Sequence, residues 1–193
     1  MTFKFPLATS TWGEEELEAM QRVIRSGMFT MGPGVLAFES DFARYVGSRH
    51  CVMVNSGSSA NLLMIAALKF SKNPKFKINA GDEVIVPVFT CTATNIPLLY
   101  IGAKIKFVDV DPLTLNIDLA HLESLATEKT KAIIAIDIFG HSANMDALMS
   151  IAKKNNLKII SDTAQAPGAF YHGKYAGTLA DIGGFSLNYH KHI

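Results

Sequence analysis

The sequence predicts an α/β fold, with a mostly parallel sheet covered by helices, and three observations predict it. Apolar runs rich in β-branched residues recur at 83–86, 104–110, 132–138 and 157–161. Segments of helical periodicity separate them, at 96–101, 119–126 and 145–154. Each run ends in turn chemistry: Pro87, Asp109 to Pro112, Gly140-His141 and Asp162. Strands that are continuously apolar, and that alternate with helices, belong to parallel sheets buried on both faces.

Taken in order, residues 10–26 open with Ser10-Thr11 and the acidic turn Glu14-Glu15-Glu16. Leu17, Met20, Val23 and Ile24 then follow at helical spacing until Gly27 ends the pattern. A turn-rich loop at 28–34 leads to a second amphipathic helix, 35–45, whose Phe38, Phe42 and Tyr45 read as core packing. Residues 51–55 read as a short buried strand, which Ser56-Gly57-Ser58-Ser59 turns into a helix over 60–70. Residues 71–82 read as a solvated loop. Pro87 breaks the next strand, and the segment 88–95 leads into helix 96–101, ended by Gly102. After the strand 157–161 a Gly- and Tyr-containing loop precedes a last strand-like stretch, 182–187. With no internal repeat, low-complexity stretch or linker, the chain reads as one domain.

Composition excludes several functions. Eighteen basic and seventeen acidic residues leave a formal charge of +1, so no field recruits nucleic acid or an acidic membrane. Cys51 and Cys91 lie in apolar, strand-like surroundings without CxxC spacing. They read as buried free thiols in a reducing, cytoplasmic compartment rather than as a disulfide framework. Met1 to Pro6 lacks a signal-peptide apolar region, and no apolar run is long enough to cross a bilayer.

The residues that carry chemistry fall at the ends of strands, where ligands of parallel α/β sheets gather. Asp162 closes one strand and Gln165 follows it; Ser186 lies in the next, and Lys191 comes five residues later. A carboxylate, a hydroxyl and an amine so placed suit pyridoxal phosphate (PLP), which offers a ring nitrogen, a phosphate and an aldehyde. The Ser56 to Ser59 turn sets hydroxyls and amides at a helix start, where a phosphate is favoured, although such turns also cap helices that bind nothing. Each residue alone has an ordinary role: a helix cap for Asp162, a backbone-bonded hydroxyl for Ser186, a solvated charge for Lys191. His190 and His192 flank the lysine, but neighbours on an extended segment point to opposite sides and no carboxylate pattern completes a metal site.

These residues resemble the DegT/DnrJ-type sugar aminotransferases, a branch of the fold-type I PLP enzymes. The resemblance runs over nearly the whole chain. It includes Gly32-Pro33 with Phe38-Glu39 and Phe42-Ala43, Asn55 to Ala60, and Pro87 with Thr90 and Ala93-Thr94. It continues through Phe107 to Asp111, Asp162-Thr163-Ala164-Gln165-Ala166, and Phe185-Ser186 with Lys191. The resemblance implies that Lys191 forms the Schiff base with PLP and moves the proton during transfer. Asp162 would pair with the pyridinium nitrogen and Gln165 with the ring oxygen. Ser186, Gly57 and Ser58, with Ser59 in the same turn, would hold the phosphate. Cys91 stands where many relatives place an aromatic residue on the ring, with Phe89 as the other candidate.

The same resemblance implies a substrate pair, a nucleotide-linked keto-sugar and Glu or Gln as amino donor, and a homodimer. It casts residues 1–193 as the N-terminal portion of a fold-type I PLP-transferase large domain, truncated, without the small C-terminal domain and inactive by itself. A sugar dehydratase on the same scaffold has His in place of the Schiff-base lysine, and Lys191 favours transamination over it. A non-catalytic, regulatory relative is the third reading, against which Lys191, Asp162 and Gln165 together count.

Overall fold

A computed structural model describes residues 11–191, so Met1 to Pro6, Ser10 and His192, named above, lie outside the described residues. The chain divides into two compact units, up to Met53 and from Val54 onward.

The first unit holds helices α1 (Glu14–Ser26) and α2 (Pro33–Val46). The Glu16 carboxylate accepts the Gly13 amide at 2.7 Å, and Pro33 opens α2 at a position where its missing N–H costs nothing. No residue of α1 is buried. In α2 the buried residues are Ala43 and Val46. Phe38 and Phe42 are half-buried and stack on each other at 5.5 Å, while Tyr45 is 60% exposed. The aromatic stripe expected to be core therefore lies on the flank of the helix. The expected strand at 51–55 is absent, because no neighbouring strand among the described residues pairs with it. The Met53 amide goes instead to the Glu39 carboxylate at 2.8 Å, and Val52 is 63% exposed.

The second unit is built on a five-stranded, all-parallel sheet in the order β2-β1-β3-β4-β7. Its strands are β1 (Glu83–Pro87), β2 (Lys104–Val108), β3 (Thr130–Ile136), β4 (Lys158–Asp162) and β7 (Ile182–Gly184). Helices α3 (Gly57–Lys69), α4 (Thr92–Tyr100), α5 (Leu119–Leu125) and α6 (Met145–Asn155) connect or cover them. A two-residue antiparallel pair, β5 (Phe170–Tyr171) and β6 (Lys174–Tyr175), fills the stretch read from sequence as a loop.

Successive strand side chains point to opposite faces, and here both faces are core. Val84, Val86, Ala132, Ile134, Ile136 and Ile160 join Met64, Ile65 and Leu68 of α3 and Leu98 of α4. The intervening Ile85, Ile133, Ala135 and Ile159 join Leu122 of α5 and Leu148 of α6 on the other face. Each Val, Leu, Ile or Met side chain among them contributes about 1.5–3 kcal/mol on burial, which is why the strands carry no polar alternation.

Among the boundaries that differ from the sequence reading, three have a clear physical reason. Pro87 does not break β1 but closes it, paired with Val108, at a strand end where the absent donor is not needed. Helix α4 starts four residues earlier than expected, at Thr92, through a run whose β-branched and polar residues have weak helix propensity. The last strand stops at Gly184 instead of 187, and it must be glycine-rich: a Cβ on Gly183 would lie 2.0 Å from the Gly177 carbonyl oxygen. Both cysteines depart from the buried-strand expectation, since neither segment is a strand. Cys51 is half-buried and Cys91 is exposed at the N-cap of α4.

Candidate cofactor site

Strand β4 ends on two consecutive polar residues that the strand geometry sends to opposite faces. Ser161 faces Asp137, whose Oδ2 accepts its hydroxyl at 2.9 Å and that of Thr163 at 2.7 Å; the Asp137 Oδ1 accepts the Ala143 amide at 3.0 Å. All three side chains are buried, so the loop leaving β4 is fastened from beneath.

Asp162 faces the other way, toward α3 and α4, and is 6% exposed. Its Oδ2 accepts Asn61 Nδ2 at 2.8 Å and Thr94 Oγ1 at 2.8 Å, and its Oδ1 accepts the Ala164 amide at 3.1 Å. The sequence reading placed Asp162 correctly at the strand end but missed Asn61 and Thr94. A signal for Asn61 was present: it shares the inward stripe 61-64-65-68 of α3 with Met64, Ile65 and Leu68, and is its one polar member. Thr94 entered only as part of the family resemblance and was given no role, because its segment was not read as helix.

The start of α3 meets the loop after β7. Ser56 caps the helix by accepting the Ser59 amide at 3.1 Å, and Ser59 Oγ donates to Asn55 Oδ1 at 2.6 Å. The Gly57 and Ser58 amides belong to the first turn, which finds no acceptor within its own helix. Gly57 lies so close to buried Ser186 that an added Cβ would sit 2.8 Å from Ser186 Cβ and 3.0 Å from its Oγ. Helix-start amides and a hydroxyl thus form one small polar cradle, of the kind a phosphate occupies.

Gln165 is positioned by the turn after β3. The Phe139 amide donates to Gln165 Oε1 at 3.3 Å, leaving Nε2 as the donor end of that side chain. Phe139 adopts φ of 50°, an uncommon conformation for a residue with a Cβ, and its ring meets Phe89 edge-on at 5.8 Å. Lys191 is half-buried and closes a turn that begins at Asn188, its N–H donating to Asn188 O at 2.7 Å, while Asn188 N–H donates to Ser186 Oγ at 3.4 Å.

The structure therefore brings Gly57 to Ser186, Asn61 and Thr94 to Asp162, and Gln165 to Phe139. Cys91 and Lys191 follow strands β1 and β7 at the same edge of the sheet, but among the described residues neither side chain is hydrogen-bonded to the others. A buried carboxylate acceptor, a polar cradle at a helix start and a lysine in the segment after β7 are groups that would fit the ring nitrogen, phosphate and aldehyde of PLP.

Comparison with known proteins agrees. The sequence profile of the DegT/DnrJ/EryC1/StrS aminotransferase family matches residues 10–193. The chain is 52% identical over 189 residues to a GDP-4-keto-6-deoxy-D-mannose 3-dehydratase of Yersinia pseudotuberculosis, covering 98% of this chain and 48% of that one. It is 41% identical over 174 residues to a dTDP-3-amino-3,6-dideoxy-alpha-D-galactopyranose transaminase of Aneurinibacillus thermoaerophilus, covering 90% and 46%. Among solved structures, an E. coli GDP-4-keto-6-deoxy-D-mannose-3-dehydratase with bound hydrated PLP superposes with a TM-score of 0.91 at 43% identity, covering 96% and 47%. The chain thus spans about half the length of the relatives it matches. Its architecture is that of the fold-type I PLP-dependent enzymes, and by sequence and structure together the chain belongs to the DegT/DnrJ/EryC1/StrS aminotransferase family.

Proposed function

We propose that this chain is the N-terminal portion of the PLP-binding large domain of an enzyme that moves an amino group from Glu or Gln to a nucleotide-linked keto-sugar. The observation that carries the reading is the buried Asp162, every one of whose partners donates, at the same sheet edge as the Gly57–Ser186 cradle and Lys191. Bound PLP would supply an aldehyde that takes up amines and a ring that draws electrons from the adjoining carbon.

The chain's own groups do the rest. Asp162 accepts the ring N–H, and Gln165 Nε2 donates to the ring oxygen. Ser186 Oγ with the Gly57 and Ser58 amides holds the phosphate, and Ser59 Oγ braces that turn through Asn55. Lys191 Nζ would hold the cofactor between turnovers and, once freed by a substrate amine, would move the proton during transfer. Cys91 or Phe89 lines the ring face. The partner protomer of a homodimer and the cytoplasm, where two unpaired thiols persist, complete this reading.

A second reading, a PLP-dependent sugar dehydratase, is favoured by the higher identity to the dehydratase, 52% against 41% for the transaminase. Lys191, where that branch carries His, supports transamination. Borohydride reduction of the PLP-loaded full-length protein, followed by peptide mapping, is expected to place the label on Lys191; a label on another lysine would sink the assignment. Supplying GDP-4-keto-6-deoxymannose and glutamate then separates the readings, since the first yields an amino-sugar and the second a 3-deoxy-sugar.

A further inference from the structure

A carboxylate offers two oxygens with about four acceptor positions in all. In Asp162 three are taken. Asn61 Nδ2 and Thr94 Oγ1 both reach Oδ2 at 2.8 Å, and the Ala164 amide reaches Oδ1 at 3.1 Å. Thr94 spends its one hydroxyl proton on Asp162, so the 2.9 Å contact with Thr90 must run from the Thr90 hydroxyl to Thr94 Oγ1. Around the carboxylate, the recess is otherwise lined by Met64, Ile65, Ile134 and Ile160, none of which can donate. Asn61 and Thr94 are themselves 7% and 2% exposed, so water does not stand in for them.

One acceptor position on Oδ1 remains, and the ring nitrogen brings one N–H. We infer that Asn61 and Thr94 are positioning residues that fill Oδ2, and so assign the ring nitrogen to Oδ1 of Asp162. The inference rests on Asp162 being the ring-nitrogen partner. Two donors from separate helices clamp the carboxylate against rotation about its Cβ–Cγ bond, which a single donor would allow. The aim of Oδ1 is thereby set by the packing of α3 and α4, together with the Ala164 amide of the loop that follows β4.

The test uses the full-length protein and two readouts: the PLP dissociation constant, and the pH midpoint of the bound cofactor's visible band. Thr94→Val keeps the shape of the side chain and removes the donor, Thr94→Ser keeps the donor, and Asn61→Leu removes the second donor. Thr94→Val and Asn61→Leu are each expected to weaken PLP binding about tenfold and to displace the midpoint, while Thr94→Ser retains both parental values. The parental values in folded Thr94→Val would overturn the inference, and so would Thr94→Ser behaving like Thr94→Val. If Asn61→Leu fails to fold, the Val/Ser pair carries the test. Asp162→Asn separates the two levels: if it too leaves both readouts unchanged, the reading of Asp162 itself falls. If it alone changes them, only the roles of Asn61 and Thr94 fall.

Discussion

The two cysteines show how far a single residue's chemistry depends on where its backbone goes. Both read as small core residues, yet Cys91 is exposed at the start of α4 at the sheet edge that carries Asp162, while Cys51 is half-buried. Burial, with the nearby Glu39 carboxylate as the lesser cause, pushes the Cys51 thiol above its ordinary value, so less of it is thiolate near neutrality. Alkylation at neutral pH should therefore modify Cys91 severalfold faster than Cys51. PLP should slow modification of Cys91 alone, as followed by mass spectrometry. An unchanged Cys91 rate with saturating PLP would remove Cys91 from the cofactor site. Gly57 makes the complementary point, because nothing in its own sequence neighbourhood requires glycine. The requirement comes from Ser186, more than a hundred positions away, whose side chain occupies the space a Cβ would need.

Among the elements, β1 is held at its entry by polar contacts and along its length by packing. The Glu83 carboxylate accepts the Thr127 hydroxyl at 2.6 Å and the Thr130 hydroxyl at 3.2 Å, and pairs with Lys106 at 3.5 Å, so residues from β2 and from the start of β3 meet at one group. The Thr127 hydrogen bond first, then the Lys106 charge and the Thr130 bond, outweigh desolvation and hold the Glu83 carboxyl below its usual range. A carboxyl lowered in the folded state stabilises above its unfolded value and loses that contribution as pH falls through the lowered value. The midpoint of urea unfolding should accordingly fall as pH drops through and below roughly 4, the ordinary carboxylate range. Glu83→Gln should flatten that acid limb while leaving the fold intact, and an identical pH profile in the variant would show that the cluster contributes nothing. The Asp137–Ser161–Thr163 network has the same design at the far end of β4, where it fastens the loop on which Asp162 and Gln165 depend.

At the scale of the molecule, a parallel sheet covered on both faces leaves no tolerant side. Ile133 and Ile134 are adjacent in β3, both are almost completely buried, and they belong to different core clusters. Ile133→Ala and Ile134→Ala should each destabilise by about 2–5 kcal/mol in chemical denaturation. A neutral result at either would mean that its face is not packed as described. The double cover also explains why the site sits where it does. With both faces filled, the strand ends are the place where polar side chains from several elements can converge without disturbing the core. Asn61, Thr94, Asp162 and Ser186 do so from α3, α4, β4 and the loop after β7.

The sequence by itself determined the α/β class and the positions of Asp162, Gln165, Ser186 and Lys191 along the chain. It also determined the resemblance to the family, because apolar runs, turn chemistry and motif spacing are local properties. It misjudged the strand at 51–55, the start of α4 and the burial of both cysteines, since pairing and exposure are set by neighbours that local pattern does not name. Only the tertiary structure decided that Gly57 must lack a side chain beside Ser186 and that Phe139 orients Gln165. It alone decided, too, that Asn61 and Thr94 clamp one oxygen of Asp162. Those contacts join residues 26 to 129 positions apart, and their geometry exists only once the sheet has assembled and its helices have packed against it.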